Sequence, residues 1–148
     1  MEETLVYIRD LKRHLNSIEH MIYVSCKFTR TTEMLRRVME TIVATYEQFF
    51  RVASLLFVDV EEFHISPLHH RIQMLNDALT SRGINVDLSD YFLLKKLLMS
   101  EFDSIGEYRK NLCMVSYIDG EEYVINVSKL LEFYDNLKTA YVGLSQVS

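Results

Sequence analysis

The sequence predicts a single all-α domain over residues 1–148, an antiparallel bundle of four or five helices with a short β-hairpin before the last helix. Apolar residues recur at alternating spacings of three and four, which is the spacing of one helix face. Only four glycines and one proline occur in 148 residues, whereas turn-rich β folds need more of both. A chain of this length suffices for one full core and is too short for two comfortable ones.

The stretch 31–58 organises the prediction, because its apolar residues keep this spacing without a break. They are Leu35, Met39, Ile42, Tyr46, Phe49, Ala53 and Leu56. Further apolar residues widen the seam over most of the circumference, so neighbours must cover the helix from several sides. We therefore predict that this stretch is the central helix of the bundle.

Start and stop signals place the helices on either side of the central one. The first helix is predicted from Glu2 to about Cys26, and Thr29 or Thr31 would cap the central helix. Ser66-Pro67 joins a capping hydroxyl to a proline at the first helical position, which predicts the start of the third helix. Gly83 ends that helix as a left-handed C-terminal cap would.

The last third of the chain carries two helical stripes and a β-like segment between them. The fourth helix is predicted to continue to Leu112, with Gly106 kinking or interrupting it. Residues 114–127 are rich in β-formers, and Asp119-Gly120 predicts a hairpin turn, with an irregular loop as the alternative. Ser128 is predicted to cap the last helix.

Composition restricts the function classes and the compartment. The net charge of −5 argues against a dedicated nucleic-acid coat, although a local basic patch is compatible with it. The two cysteines suit reduced, buried thiols. The sequence has neither a secretory signal pattern nor an apolar run long enough to span a membrane, so we expect a cytoplasmic protein without membrane contact. No motif calls for a cofactor.

Four cations surround the predicted turn between the first two helices. They are Lys27, Arg30, Arg36 and Arg37. One interpretation is a patch that binds a phosphate or an acidic partner. The favoured interpretation is a solvated helix face, because Arg36 and Arg37 each have a carboxylate four residues away.

Glu61-x-x-His64 has the spacing of a ligand pair in a di-iron bundle. Such sites need two of these pairs and two further carboxylates, and the chain has no second pair. His69 and His70 lie nearby, so Glu61, His64, His69 and His70 are weak candidates for a mixed metal or small-ligand site. We predict that the chain holds no metal.

The stretch Tyr108–Tyr117 resembles the motif region of the HEPN superfamily of small helical bundles. The family pattern is an Arg, often followed closely by Asn, then a His after four to six residues and a Tyr shortly after it. Arg109, Asn111 and Tyr117 fit this pattern, and the resemblance extends to the order of helices over most of the chain. Val115 or one of its neighbours stands where the family has histidine, and no histidine follows His70.

In active HEPN members the resemblance implies an RNA-cleaving site formed by Arg and His across a dimer. Without the imidazole, no group near Arg109 in the sequence transfers protons near neutral pH. We therefore expect a non-catalytic HEPN-like interaction module, either a homodimer or the partner of another protein such as a nucleotidyltransferase. The alternatives are an RNase that uses Arg109 with an unrecognised base, and the metal or small-ligand binder described above.

Apolar residues beside the predicted helix stripes also favour the homodimer, because large apolar patches on soluble proteins usually mark interfaces. They are Phe92, Leu93 and Leu97 on the fourth helix and Leu131, Phe133 and Val142 on the last. The alternative is that the hairpin and the interhelical loops cover them within one chain.

Overall fold

The computed structural model describes residues 2–58, 68–86 and 88–147, except for the side chains of residues 2, 3, 68 and 69. Within these residues the predicted fold class is confirmed, since the chain is mostly helical and a small antiparallel sheet precedes the last helix. None of the described helices is long and apolar enough to cross a membrane.

In the described residues, one β segment of three strands lies between the fourth and the fifth helix. The helices are α1 (Glu2–His20), α2 (Thr32–Phe57), α3 (Leu68–Thr80), α4 (Leu88–Met99) and α5 (Val127–Val147). Helix α1 continues through a π-helical segment, Met21–Ser25, and a closing α-helical turn, Cys26–Phe28. The strands are β1 (Phe102–Ile105), β2 (Cys113–Ile118) and β3 (Glu121–Ile125), which form an antiparallel sheet in the order β1-β2-β3.

Helix α2 is the centre of the bundle, as its seam predicts. It packs against α1, α3, α4 and α5. Six of its seven seam residues are buried, and only Leu56 is half-buried. Of the two predicted caps, Thr31 caps α2, because its hydroxyl accepts a hydrogen bond from the Met34 N–H at 3.2 Å.

Two buried tyrosines join helices through carboxylates. The Tyr91 hydroxyl on α4 donates to Glu47 on α2 at 3.0 Å, and the Tyr134 hydroxyl on α5 donates to Glu19 on α1 at 2.7 Å. Burial and the hydrogen bond to Glu47 raise the pKa of Tyr91 to about 12. Burial and the bond to Glu19 likewise raise the pKa of Tyr134.

The prediction that the fourth helix continues to Leu112 is wrong, because α4 ends at Met99. Phe102 and Ile105 lie three apart, which suits one face of a helix, but as strand residues they point to opposite sides of the sheet. Phe102 packs against the core, whereas Ile105 is exposed. The backbone of this segment pairs with β2 in the sheet and forms no helical hydrogen bonds.

The predicted hairpin is confirmed with its predicted register, which pairs Ile118 with Glu121 and Ser116 with Tyr123. Its turn residues, Asp119 and Gly120, have φ angles of 51° and 81°, as the tight hairpin turn requires.

The predicted cap of the last helix is wrong by two positions. Asn126, rather than Ser128, provides the cap, because the Asn126 side chain accepts a hydrogen bond from the Lys129 N–H at 2.9 Å. The helix itself begins at Val127.

Much of the apolar surface that favoured a dimer is covered within one chain. Leu97 and Phe133 are buried, and Leu93 and Leu131 are half-buried. Phe92 and Val142 remain exposed. The homodimer is therefore still a prediction, and these six residues give it less support than their positions in the sequence suggested.

Candidate functional site

Two basic segments that are far apart in the sequence meet around one pocket. Lys27 and Arg30 come from the end of α1 and the turn to α2, and Arg109 and Lys110 come from the loop of residues 106–112 between β1 and β2. We call this the basic pocket. Its volume is about 210 Å³, and its remaining lining is apolar apart from one thiol: Ile22, Leu35, Leu112, Val127 and Cys26.

A carboxylate holds the β1–β2 loop against the start of α2. Glu107 Oε1 accepts hydrogen bonds from the Thr32 N–H at 3.0 Å, the Thr32 hydroxyl at 2.6 Å and the Ser104 hydroxyl at 3.0 Å. Thr32 is the first residue of α2, so its N–H has no acceptor within the helix. These bonds favour the ionised form and lower the pKa of Glu107, those from Thr32 having the largest effect.

Backbone geometry fixes the same loop from within. The Tyr108 N–H donates to the Arg30 carbonyl at 2.6 Å, which ties the two basic segments directly. Tyr108 has a φ of 67° and Gly106 a φ of 79°, both in the left-handed region. Asn111 folds back on Gly106, where an added Cβ would lie 3.1 Å from its Oδ1. The loop therefore has a defined conformation that places Arg109 and Lys110 at the pocket.

The four pocket cations have no carboxylate partner within 4.0 Å in the part of the chain that the structure describes. The other two cations of the sequence patch differ. Arg36 lies 3.4 Å from Glu40 and donates to the Leu98 carbonyl at 2.7 Å, and Arg37 lies 3.9 Å from Glu33. The patch thus divides into two helix-face arginines and two cations that join the pocket.

The pocket has little means of catalysis. Its described lining contains no carboxylate and no imidazole. Burial raises the pKa of the Cys26 thiol, so the thiol stays protonated near neutral pH and is a weak nucleophile. Cations and apolar groups without a proton acceptor suit binding rather than acid–base chemistry.

The structure separates the three HEPN-motif-like positions. Arg109 and Asn111 share the β1–β2 loop, where Asn111 contacts Gly106. Tyr117 lies on β2, does not line the basic pocket and is 62% exposed. Its hydroxyl donates to Glu122 at 3.0 Å, and this bond, together with the charge of Glu122, raises the pKa of Tyr117.

The register of the sheet places Tyr117 on the side turned away from the bundle, among apolar and acidic neighbours. Asp103, Val115 and Val124 lie abreast across the three strands, Ile105 pairs with Cys113, and Tyr117 pairs with Glu122. We call these seven residues the outer face. Ile105 is 52% and Val124 43% exposed, whereas Val115 at the centre of this face is buried. The alternate residues Met114, Ser116 and Ile125 are buried against the bundle.

The metal candidates are not brought together by anything that the structure describes. Glu61 and His64 lie outside the described residues, as does the side chain of His69, and His70 is exposed on α3. No group of three or more His, Cys, Asp or Glu side chains in the described residues is arranged to hold a metal ion.

Comparison of the chain with protein-family models, with curated proteins and with solved structures found no match. The HEPN resemblance therefore stays a prediction that depends on the motif and the helix order alone.

Proposed function

We propose that the chain is a non-catalytic interaction module that associates with another protein chain through the outer face of the sheet. One observation carries this proposal: Ile105 on β1, Tyr117 on β2 and Val124 on β3 are all exposed on the same face of the sheet. Apolar groups gathered in this way favour contact with a second surface that removes them from water.

A second copy of the same chain is the partner we favour. Strand β1 hydrogen-bonds to β2 on one side only, and no described strand pairs with its other edge. A free antiparallel edge can pair with its own copy across a two-fold axis, which satisfies its backbone groups and brings the outer-face side chains of the two β1 strands next to each other. Another protein, such as the nucleotidyltransferase that the HEPN resemblance implies, would use the same edge and face.

Light scattering at micromolar concentration tests this interface with two matched variants. Ile105→Lys puts a charge on the outer face in β1, the strand at the proposed interface, whereas Val142→Lys puts the same charge on α5 at a side chain that is also exposed (52% and 41% exposed). We expect the wild type and Val142→Lys to have twice the 17.5 kDa of one chain, and Ile105→Lys to have the mass of one. A wild-type mass near 17.5 kDa would refute the homodimer. Dissociation by Val142→Lys alone would refute this interface.

An RNA assay tests whether the module is non-catalytic. Purified protein is incubated with mixed RNA, with and without divalent metal, beside an Arg109→Ala control. We expect no cleavage, because the described lining of the pocket around Arg109 offers no proton acceptor. Cleavage that Arg109→Ala abolishes would support the RNase alternative instead. Tightly bound metal in the purified protein would support a site at Glu61, His64, His69 and His70.

A further inference from the structure

We propose that the basic pocket binds a small organic dianion, a molecule with two negative groups on a short apolar chain. This site is separate from the outer face and does not depend on association. The inference begins with the convergence of Lys27, Arg30, Arg109 and Lys110 from two segments that the fold brings together. The two segments are held together by hydrogen bonds between Thr32 and Glu107, which are 75 residues apart in the sequence. Charges scattered on a surface would not require such a connection.

Charge indicates the class of ligand. The protein as a whole carries −5, yet these four cations line one pocket and none of them has a described carboxylate within 4.0 Å. Like charges around one pocket repel each other until an anion arrives, so an anion with two charges relieves more repulsion than a monoanion. The two guanidinium groups offer paired N–H donors that match the oxygens of a carboxylate or a phosphate.

Size and lining restrict the body of the ligand. A volume of 210 Å³ corresponds to about seven water molecules at roughly 30 Å³ each. This is below the ~300–1,000 Å³ of pockets that enclose drug-sized ligands. The buried side chains of Ile22, Leu35 and Leu112 in its lining suit a short hydrocarbon chain. The pocket is therefore too small to enclose a nucleotide, and a molecule the size of succinate or propyl phosphate suits it.

The site exists before any ligand arrives. Glu107 and the Tyr108 N–H already hold the β1–β2 loop against α2 and Arg30. A preorganised loop spares the ligand the cost of ordering the backbone that carries Arg109 and Lys110. The anion then bridges two segments that are already adjacent.

Isothermal titration calorimetry at low salt tests the proposal with three probes of similar chain length: succinate, propyl phosphate and butyrate. We expect at least one dianion to bind saturably, and at least tenfold more tightly than the monoanion butyrate. The tighter of the two dianions identifies the charged group as dicarboxylate or phosphate monoester. A short single-stranded RNA is titrated in parallel.

Three variants locate the binding. Arg109→Gln and Lys27→Gln each remove one charge from a different side of the pocket, and we expect each to weaken the dianion at least tenfold. Arg51→Gln removes the same charge from the exposed face of α2, outside the pocket, and leaves affinity unchanged. The absence of saturable binding by either dianion, equal binding of butyrate, or equal weakening by Arg51→Gln would each overturn the proposal. So would RNA binding that exceeds both dianions and is lost in Arg109→Gln.

Discussion

Replacement of Gly106 by alanine tests the conformation of the loop that builds the basic pocket. Gly106 has a φ of 79°, and a left-handed backbone costs an L-residue about 1–2 kcal/mol. The new Cβ would also lie 3.1 Å from the Asn111 side-chain oxygen, so Asn111 must shift. Gly83→Ala is the matched control, because Gly83 has a φ of 76° and nothing within 4 Å of its Cβ position.

The two substitutions share the backbone penalty and differ by the contact with Asn111. We expect Gly83→Ala to lower the free energy of unfolding by about 1 kcal/mol, and Gly106→Ala to lower it by about 2 kcal/mol. At about 2–4 °C per kcal/mol for a chain of this size, the melting temperature falls by about 2–4 °C and about 4–8 °C respectively. Urea denaturation and a thermal scan measure both. Equal losses would show that Asn111 moves away freely, and no loss in Gly106→Ala would refute the described loop.

Three further predictions test the fold. Asn126→Ala should lower the free energy of unfolding, measured in urea, by about 1 kcal/mol because the cap of α5 is lost, while Ser128→Ala changes little. A larger loss in Ser128→Ala would show that Ser128 is the cap, as the sequence predicted. Phe49→Ala should cost about 3–5 kcal/mol because the ring is fully buried, whereas exposed Phe28→Ala costs almost nothing; similar losses would contradict the core. Burial, followed by a carboxylate hydrogen bond, raises the folded pKa of Tyr91 from 10.0 to about 12. The unfolded chain therefore loses this proton first, and stability falls between about pH 10 and 12. Tyr91→Phe should make that fall smaller in pH-dependent denaturation, and an unchanged profile would contradict the shift.

The sequence predicted the elements that local pattern determines. The seam of α2 is long and regular enough to show which residues of the helix are buried. Asp119-Gly120 determined the hairpin because few residue pairs adopt two consecutive positive φ angles. Strand β1 was missed because Phe102 and Ile105 continue a helical spacing and only the remote pairing with β2 makes the segment a strand.

The same limit applies to the candidate sites. The sequence identified Lys27, Arg30 and Arg109 separately, but their meeting depends on the hydrogen bonds between Thr32 and Glu107, 75 residues apart. No spacing rule links such residues. The outer face was not predicted, because its residues share a side only once β1 is placed beside β2. Gly106, at which the sequence predicts a kink or an interruption of the fourth helix, was a usable signal, because glycine readily adopts the positive φ that the structure shows there.

Hydrogen–deuterium exchange of β1 at two protein concentrations tests the proposed association most directly. If the free edge of Phe102–Ile105 pairs with a second copy, its amides should exchange more slowly at high concentration than at low concentration. Amides in the middle of α2, which are bonded within the helix in either state, provide the reference. Exchange in β1 that does not depend on concentration, across a range that light scattering shows to change the mass, would contradict association through this edge.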